Sequence, residues 1–137
     1  MPSIEVLRRP TPRQAAGIIS LYRAEGWWDL ESDDLAAVGD LVAGSHCFVV
    51  AMEGDEVVGM GRAIGDGTSD AYIQDVAVAG RLRGRGLGAE IMRVLVERLK
   101  KDGLTWIGLI ATPGTSAFYE RLGFETMRDF TPMRLRS

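Results

Sequence analysis

Apolar residues along this chain recur at two spacings, and the switches between them outline its elements. Residues 3–7 read as a short first strand. Thr11-Pro12 then starts a helix, with Thr11 as N-cap and Pro12 at the first helical position, where a missing N–H costs nothing. Ala15, Ile18, Ile19 and Tyr22 follow at helical spacing until Gly26 ends the element. Trp27-Trp28-Asp29 forms an aromatic connection to a second helix over 32–43, with Leu35, Val38, Leu41 and Val42 inward. Residues 46–52 and 57–64 are apolar strands joined by the hairpin turn Glu53-Gly54-Asp55-Glu56. A polar turn over 65–70 leads into a strand over 71–78. Residues 86–101 form an amphipathic helix, with Leu87, Ile91, Leu95 and Leu99 in one stripe and Gly103 as its left-handed cap. A strand over 104–111, a short helix over 115–122 and a last strand region over 124–134, interrupted by Pro132, complete the chain.

The order is β-α-α-β-β-β-α-β-α-β. Strands joined by hairpins pair antiparallel, whereas the strand–helix–strand unit over 71–111 needs a crossover and hence a parallel pair. An α/β (α+β) fold follows, with a mixed, mostly antiparallel central sheet and helices on both faces. No repeat, linker or low-complexity stretch divides residues 1–137, so a single domain is expected.

Composition narrows the function without naming it. Apolar residues make up 46% of the 137 positions and charged ones 26%, which suits a water-soluble domain with its own core. The N-terminus lacks the apolar core of a signal peptide. Nowhere do about 18 apolar residues run unbroken, so no membrane association is expected. The lone Cys47 lies in an apolar run and reads as a buried, reduced thiol, in keeping with a cytoplasmic setting. His46, the single histidine, has no clustered ligands beside it in sequence, and no metal site is expected. The 65–70 turn does not match the spacing of a calcium loop. A formal net charge of −3 argues against general nucleic-acid binding.

Against that acidic background, one local stretch is basic and rich in glycine: Arg81-Leu82-Arg83-Gly84-Arg85-Gly86-Leu87-Gly88. It joins a strand directly to a helix. Glycines there let backbone N–H groups close in on an anion, and the helix adds its unpaired first-turn donors. Arg81, Arg83 and Arg85 place positive charge around the same spot. A phosphorylated ligand is implied.

Arg83-Gly84-Arg85-Gly86-Leu87-Gly88 resembles the Q/R-x-x-G-x-G/A signature of the GNAT superfamily of N-acetyltransferases. Ala117-Phe118-Tyr119-Glu120-Arg121-Leu122-Gly123-Phe124 resembles its second signature, F-Y-x-x-x-G-F, and the element order agrees over essentially the whole chain. Gly80 stands where many relatives carry proline, and Ala111-Thr112-Pro113-Gly114 where a polar residue often opens the second motif. The resemblance implies a GNAT-like fold in which the strands over 71–79 and 104–111 splay apart. It also implies acetyl-CoA as cofactor, its pantetheine arm pairing with Val76, Ala77 and Val78 and its pyrophosphate lying on Arg83, Gly84, Arg85, Gly86, Leu87 and Gly88. Phe118 would pack against that arm, and segment 125–137 could carry a homodimer contact.

The implied activity is direct transfer of an acetyl group to a primary amine of a small molecule or a peptide or protein. A lysine-like amine with a pKa of about 10.4 is neutral only about once in 2,500 at pH 7. A base therefore helps, and Asp75 is the leading candidate, with Glu25, Glu31, Asp33 and Asp34 behind it. Gln74, which should point to the opposite face from Asp75, could orient a water. The resemblance places the Tyr119 hydroxyl near the thioester sulfur as general acid, and a backbone N–H, that of Val76, at the carbonyl oxygen. Trp27, Trp28 and Tyr72 are candidates for the acceptor site, with Met60 and Arg62 beside them. Two other classes of function compete with this one. A catalytically silent acetyl-CoA-binding regulatory domain would keep the 83–88 turn without needing Tyr119. A nucleic-acid module fails because the basic tract is short and boxed between strand and helix.

Overall fold

The computed structural model describes residues 2–28 and 34–137. In chain order the elements are β1 (Ser3–Val6), α1 (Pro12–Ala24), α2 (Leu35–Gly44), β2 (Cys47–Glu53), β3 (Glu56–Gly65), β4 (Asp70–Val78), α3 (Leu87–Lys101), β5 (Trp106–Leu109) and α4 (Ser116–Arg121). The strands form one sheet in the order β1-β2-β3-β4-β5, antiparallel except for the parallel pair β4–β5.

Burial on both faces explains the unbroken apolar runs of the central strands. Along β2, Phe48, Val50 and Met52 join a cluster with Ile18, Ile19 and Tyr22 of α1 and Val38 and Val42 of α2. Cys47, Val49 and Ala51 join a second cluster with Ile91, Met92, Leu95 and Leu99 of α3. Side chains of this kind stabilise by roughly 1.5–3 kcal/mol each when fully buried. The helix α3 lies so close to the sheet that a Cβ at Gly61 would meet Ile91 Cγ2 at 2.9 Å and Leu95 Cδ1 at 3.0 Å. Only glycine permits that approach.

Local signals fix the helix starts. Thr11 caps α1 in a reciprocal box: its Oγ1 accepts from the Gln14 N–H at 3.1 Å, and Gln14 Oε1 accepts from the Thr11 N–H at 2.9 Å. Asp34 caps α2 by accepting from the Ala37 N–H at 3.0 Å. The expected start of that helix at Ser32 lies outside the described residues.

Two expectations fail in the last third. Residues 124–134 form no strand; Phe130, Met133 and Leu135 lie exposed, and Pro132 withholds one of the donors a ladder would need. β5 is also shorter than the apolar run over 104–111, because its pairing with β4 stops at Ile73–Leu109. Just beyond Ile73, β4 bends away.

Candidate functional site

The bend is a β-bulge. Met60 lies opposite Ala77 and Arg62 opposite Gln74, so Gly61 alone faces both Asp75 and Val76. Asp75 takes a left-handed conformation there, with φ 57°. Beyond it, β4 and β5 diverge and open a slot. The Ala79 N–H bonds to Val58 O on β3. Alternate residues of an antiparallel strand turn their backbone groups to opposite sides, so Ala77 also faces β3, while Val76 and Val78 face the slot. Ala77 is therefore a packing residue of the α1 side, buried at 4% exposure, and not a partner for a ligand as expected.

Below the slot, a single 3₁₀ turn over Gly80–Leu82 leads to Gly84 and Gly86, with φ 78° and 81°. Leu82 and Arg83 donate their N–H groups to Ala79 and Gly80, and the Glu90 N–H closes the first bond of α3 on Gly86. Among the described residues, the amides of residues 84–89 have no intramolecular acceptor, and no side chain caps the helix. This is the donor set a diphosphate requires. It fits the expected cofactor, with two corrections. The Arg83 amide is already bonded, and its guanidinium reaches Glu25 Oε1 at 2.8 Å and Val78 O at 3.2 Å. Arg81 turns away to Glu53 and Glu56 at the β2–β3 hairpin, so the basic cluster divides. Arg85 has no ion pair among the described residues. It is the arginine left to meet a phosphate.

The second motif lands against the first. Phe118 of α4 approaches Gly88 so closely that a Cβ there would stand 3.4 Å from its Cζ and 3.8 Å from Val78 Cγ2. Tyr119 packs edge-on to Phe118 and Phe124, at centroid distances of 4.9 and 6.2 Å. Its hydroxyl has no hydrogen-bond partner among the described residues, and burial pushes its phenol above the usual range. It holds a proton that nothing else claims.

On the α1 side of the slot, Trp27, Tyr72, Gln74 and Asp75, with Leu109, Ile110 and Thr112, line a cavity of about 260 Å³. Trp27 and Tyr72 thus meet at one site. Trp28 does not join them: it stacks on Tyr22 at 3.9 Å and packs against the core. Met60 is fully buried and also stays out of the cavity. Asp75 Oδ2 accepts from the Tyr22 hydroxyl and from Arg62 Nε, each at 2.7 Å, while Arg62 Nη2 reaches Gln74 Oε1 at 3.3 Å. Gln74 and Asp75 therefore share one guanidinium instead of pointing to opposite faces, because Asp75 is itself the left-handed residue of the bulge and breaks the strand's alternation. Burial, and next the Asp75 carboxylate, push the Tyr22 phenol far above its ordinary value.

The other candidates have different work. Glu25 pairs with Arg83, Asp34 caps α2, and Glu31 and Asp33 lie outside the described residues. His46 does have a carboxylate partner, Asp102 at 2.8 Å, found only through the fold. Cys47 is buried, and desolvation raises its thiol, so it is a poor nucleophile. Tyr22 and Arg62 carry more of the site than sequence reading assigns them. A charged residue inside the otherwise apolar run 57–64 was the available signal.

Comparison with known proteins bears on this geometry. A family model described as "Acetyltransferase (GNAT) family" matches residues 6–124. A chloroplastic serotonin N-acetyltransferase 2 from Oryza sativa subsp. japonica is 42% identical over 67 residues, covering 49% of this chain and 34% of that protein. The chain thus matches about a third of that relative's length. A GNAT-family acetyltransferase from Streptococcus pneumoniae superposes with a TM-score of 0.81 at 26% identity, over 100% of this chain and 98% of that one. Glucosamine-6-phosphate N-acetyltransferase from Arabidopsis thaliana shares the fold, with a TM-score of 0.78 at 17% identity, over 98% and 99% of the two chains.

Proposed function

The chain belongs to the GNAT family of acetyltransferases, and from that premise we propose that it moves an acetyl group from acetyl-CoA directly to a primary amine of a small molecule or peptide. The observation that carries this reading is the set of unbonded amides over 84–89, set at the foot of a slot that Val76 and Val78 also face, with the Val78 carbonyl there bonded to Arg83 Nε. Acetyl-CoA supplies an activated acyl carbon and a good leaving group. The chain's residues supply position and protons. The amides of residues 84–89 and Arg85 hold the diphosphate; Val76 and Val78 hold the arm as an added strand. The Val76 N–H is aimed to polarise the carbonyl oxygen, and the Tyr119 hydroxyl to protonate the departing sulfur.

The amine enters from the opposite side of the slot. Trp27 and Tyr72 offer ring faces at the mouth of this cavity, a combination that favours an amine on a flat, apolar body. The serotonin N-acetyltransferase name of the rice relative is in keeping with such an acceptor. The test is a panel of arylalkylamines, polyamines, amino sugars and N-terminal peptides, with free thiol release as the readout. Turnover with arylalkylamines above the other classes is expected. Tight acetyl-CoA binding without turnover on any amine would sink the proposal.

A further inference from the structure

The bulge in β4 is held by side chains from two other elements. Among the described residues, Asp75 and Asp129 are the non-glycine positions with positive φ, and Asp75 alone of the two lies in a strand. A left-handed residue in a strand is costly and persists only where its surroundings hold it. Here Tyr22 reaches Asp75 Oδ2 from α1 and Arg62 reaches the same oxygen from β3, both at 2.7 Å. Each clamp is itself held. Tyr22 is buried at 1% exposure, with Trp28 stacked on its face and Trp27 edge-on at 6.1 Å. Arg62 spreads its remaining nitrogens over Gln74 Oε1 at 3.3 Å and Ser45 Oγ at 3.4 Å.

We propose that Tyr22 and Arg62 are positioning residues for the transfer: by clamping the Asp75 carboxylate they fix the kink that turns the Val76 N–H into the slot, and Asp75 serves as a strut rather than as the proton acceptor. This rests on the acyl-transfer reading above. The physical reason is register. Without the extra residue at 75–76, β4 would slip by one position against β3, and the side chains beyond it would change faces. Val76, which now packs beside Gly61 on the α3 side, and Ala77, buried on the α1 side, would exchange environments. Bulged and regular strands are thus discrete alternatives, and the Tyr22–Asp75–Arg62 contacts select the first. The same contacts tie Oδ2 to both α1 and β3, the geometry of a strut.

The experiment compares Tyr22→Phe, Arg62→Gln, Asp75→Asn and Asp75→Ala in the full chain. It records acetyl-CoA affinity by calorimetry, kcat and KM by thiol release, the pH profile, and the Val76 amide resonance by NMR. Asparagine tolerates the left-handed backbone and keeps an acceptor oxygen, whereas alanine does neither. Tyr22→Phe and Arg62→Gln should lower kcat by about 10- to 100-fold, as misplacement of about 1 Å does, with acetyl-CoA affinity retained. Both should shift the Val76 resonance. Asp75→Asn should be slower than the parent but about tenfold faster than Asp75→Ala, with the parent's pH profile. If Asp75→Asn is as inactive as Asp75→Ala and loses the acidic limb, Asp75 is the base and the proposal is wrong. A Val76 resonance unmoved in Tyr22→Phe, with a native circular dichroism spectrum, would also overturn it. The NMR readout needs no acceptor. If no amine is acetylated, the functional reading fails while the clamp is still decided.

Discussion

Tyr119 shows how much one side chain's surroundings matter to the chemistry. Burial raises its phenol, so at neutral pH the hydroxyl is protonated and able to donate. Its role as acid is lost as pH rises through that elevated value, which places the alkaline limb of kcat above the ordinary phenol value of about 10. Tyr119→Phe should lower kcat by about 10²–10⁴, the range for a lost general acid, while calorimetry finds acetyl-CoA binding intact. It should also remove that alkaline limb. Equal turnover at matched pH would transfer the proton's delivery to water. Asp75, on β4, shows the opposite dependence: nothing in its neighbours along the chain announces Tyr22 and Arg62 as its partners.

At the scale of elements, the turn between β4 and α3 offers mainly backbone donors, since Arg81 and Arg83 are paired elsewhere and Arg85 alone of its arginines is left for a phosphate. Gly84 and Gly86 lie at positive φ, and the amides that follow are unbonded. Gly86→Glu should abolish acetyl-CoA binding in calorimetry, since it strains a left-handed residue and sets a carboxylate where the diphosphate belongs. Unchanged affinity would refute the cradle. The β3–β4 turn supplies a stability test. Asp66 accepts from the N–H groups of Thr68, Ser69 and Asp70 and from the Ser69 hydroxyl. The Ser69 and Thr68 amides first of all hold its carboxyl far below the usual range. A depressed pKa stabilises above the unfolded-state value and is lost as pH falls through the folded one. Urea midpoints should therefore show Asp66→Ala less stable at pH 6, with the gap narrowing as pH drops below about 4. A gap that widened on acidification would contradict the turn's role.

For the molecule as a whole, binding confined to the folded state raises stability by mass action. The melting temperature should rise progressively with acetyl-CoA concentration, and in Gly86→Glu it should not move. A melting temperature indifferent to acetyl-CoA in the parent chain would remove the ligand from the account. The sequence by itself determined the order of elements from β1 to α4, the caps at Thr11 and Gly103, the apolar character of β2 and β3, and both GNAT signatures, because each rests on residues adjacent or periodic along the chain. It misread residues 124–134 as a strand, because scattered apolar residues do not provide a neighbouring strand to pair with. Only the tertiary structure decided where Arg81 and Arg83 point, that Trp28 belongs to the core and Trp27 to the cavity, and that Asp75 is clamped in a bulge. Those are contacts between residues up to 58 positions apart, and a register slip of one residue leaves no trace in local composition.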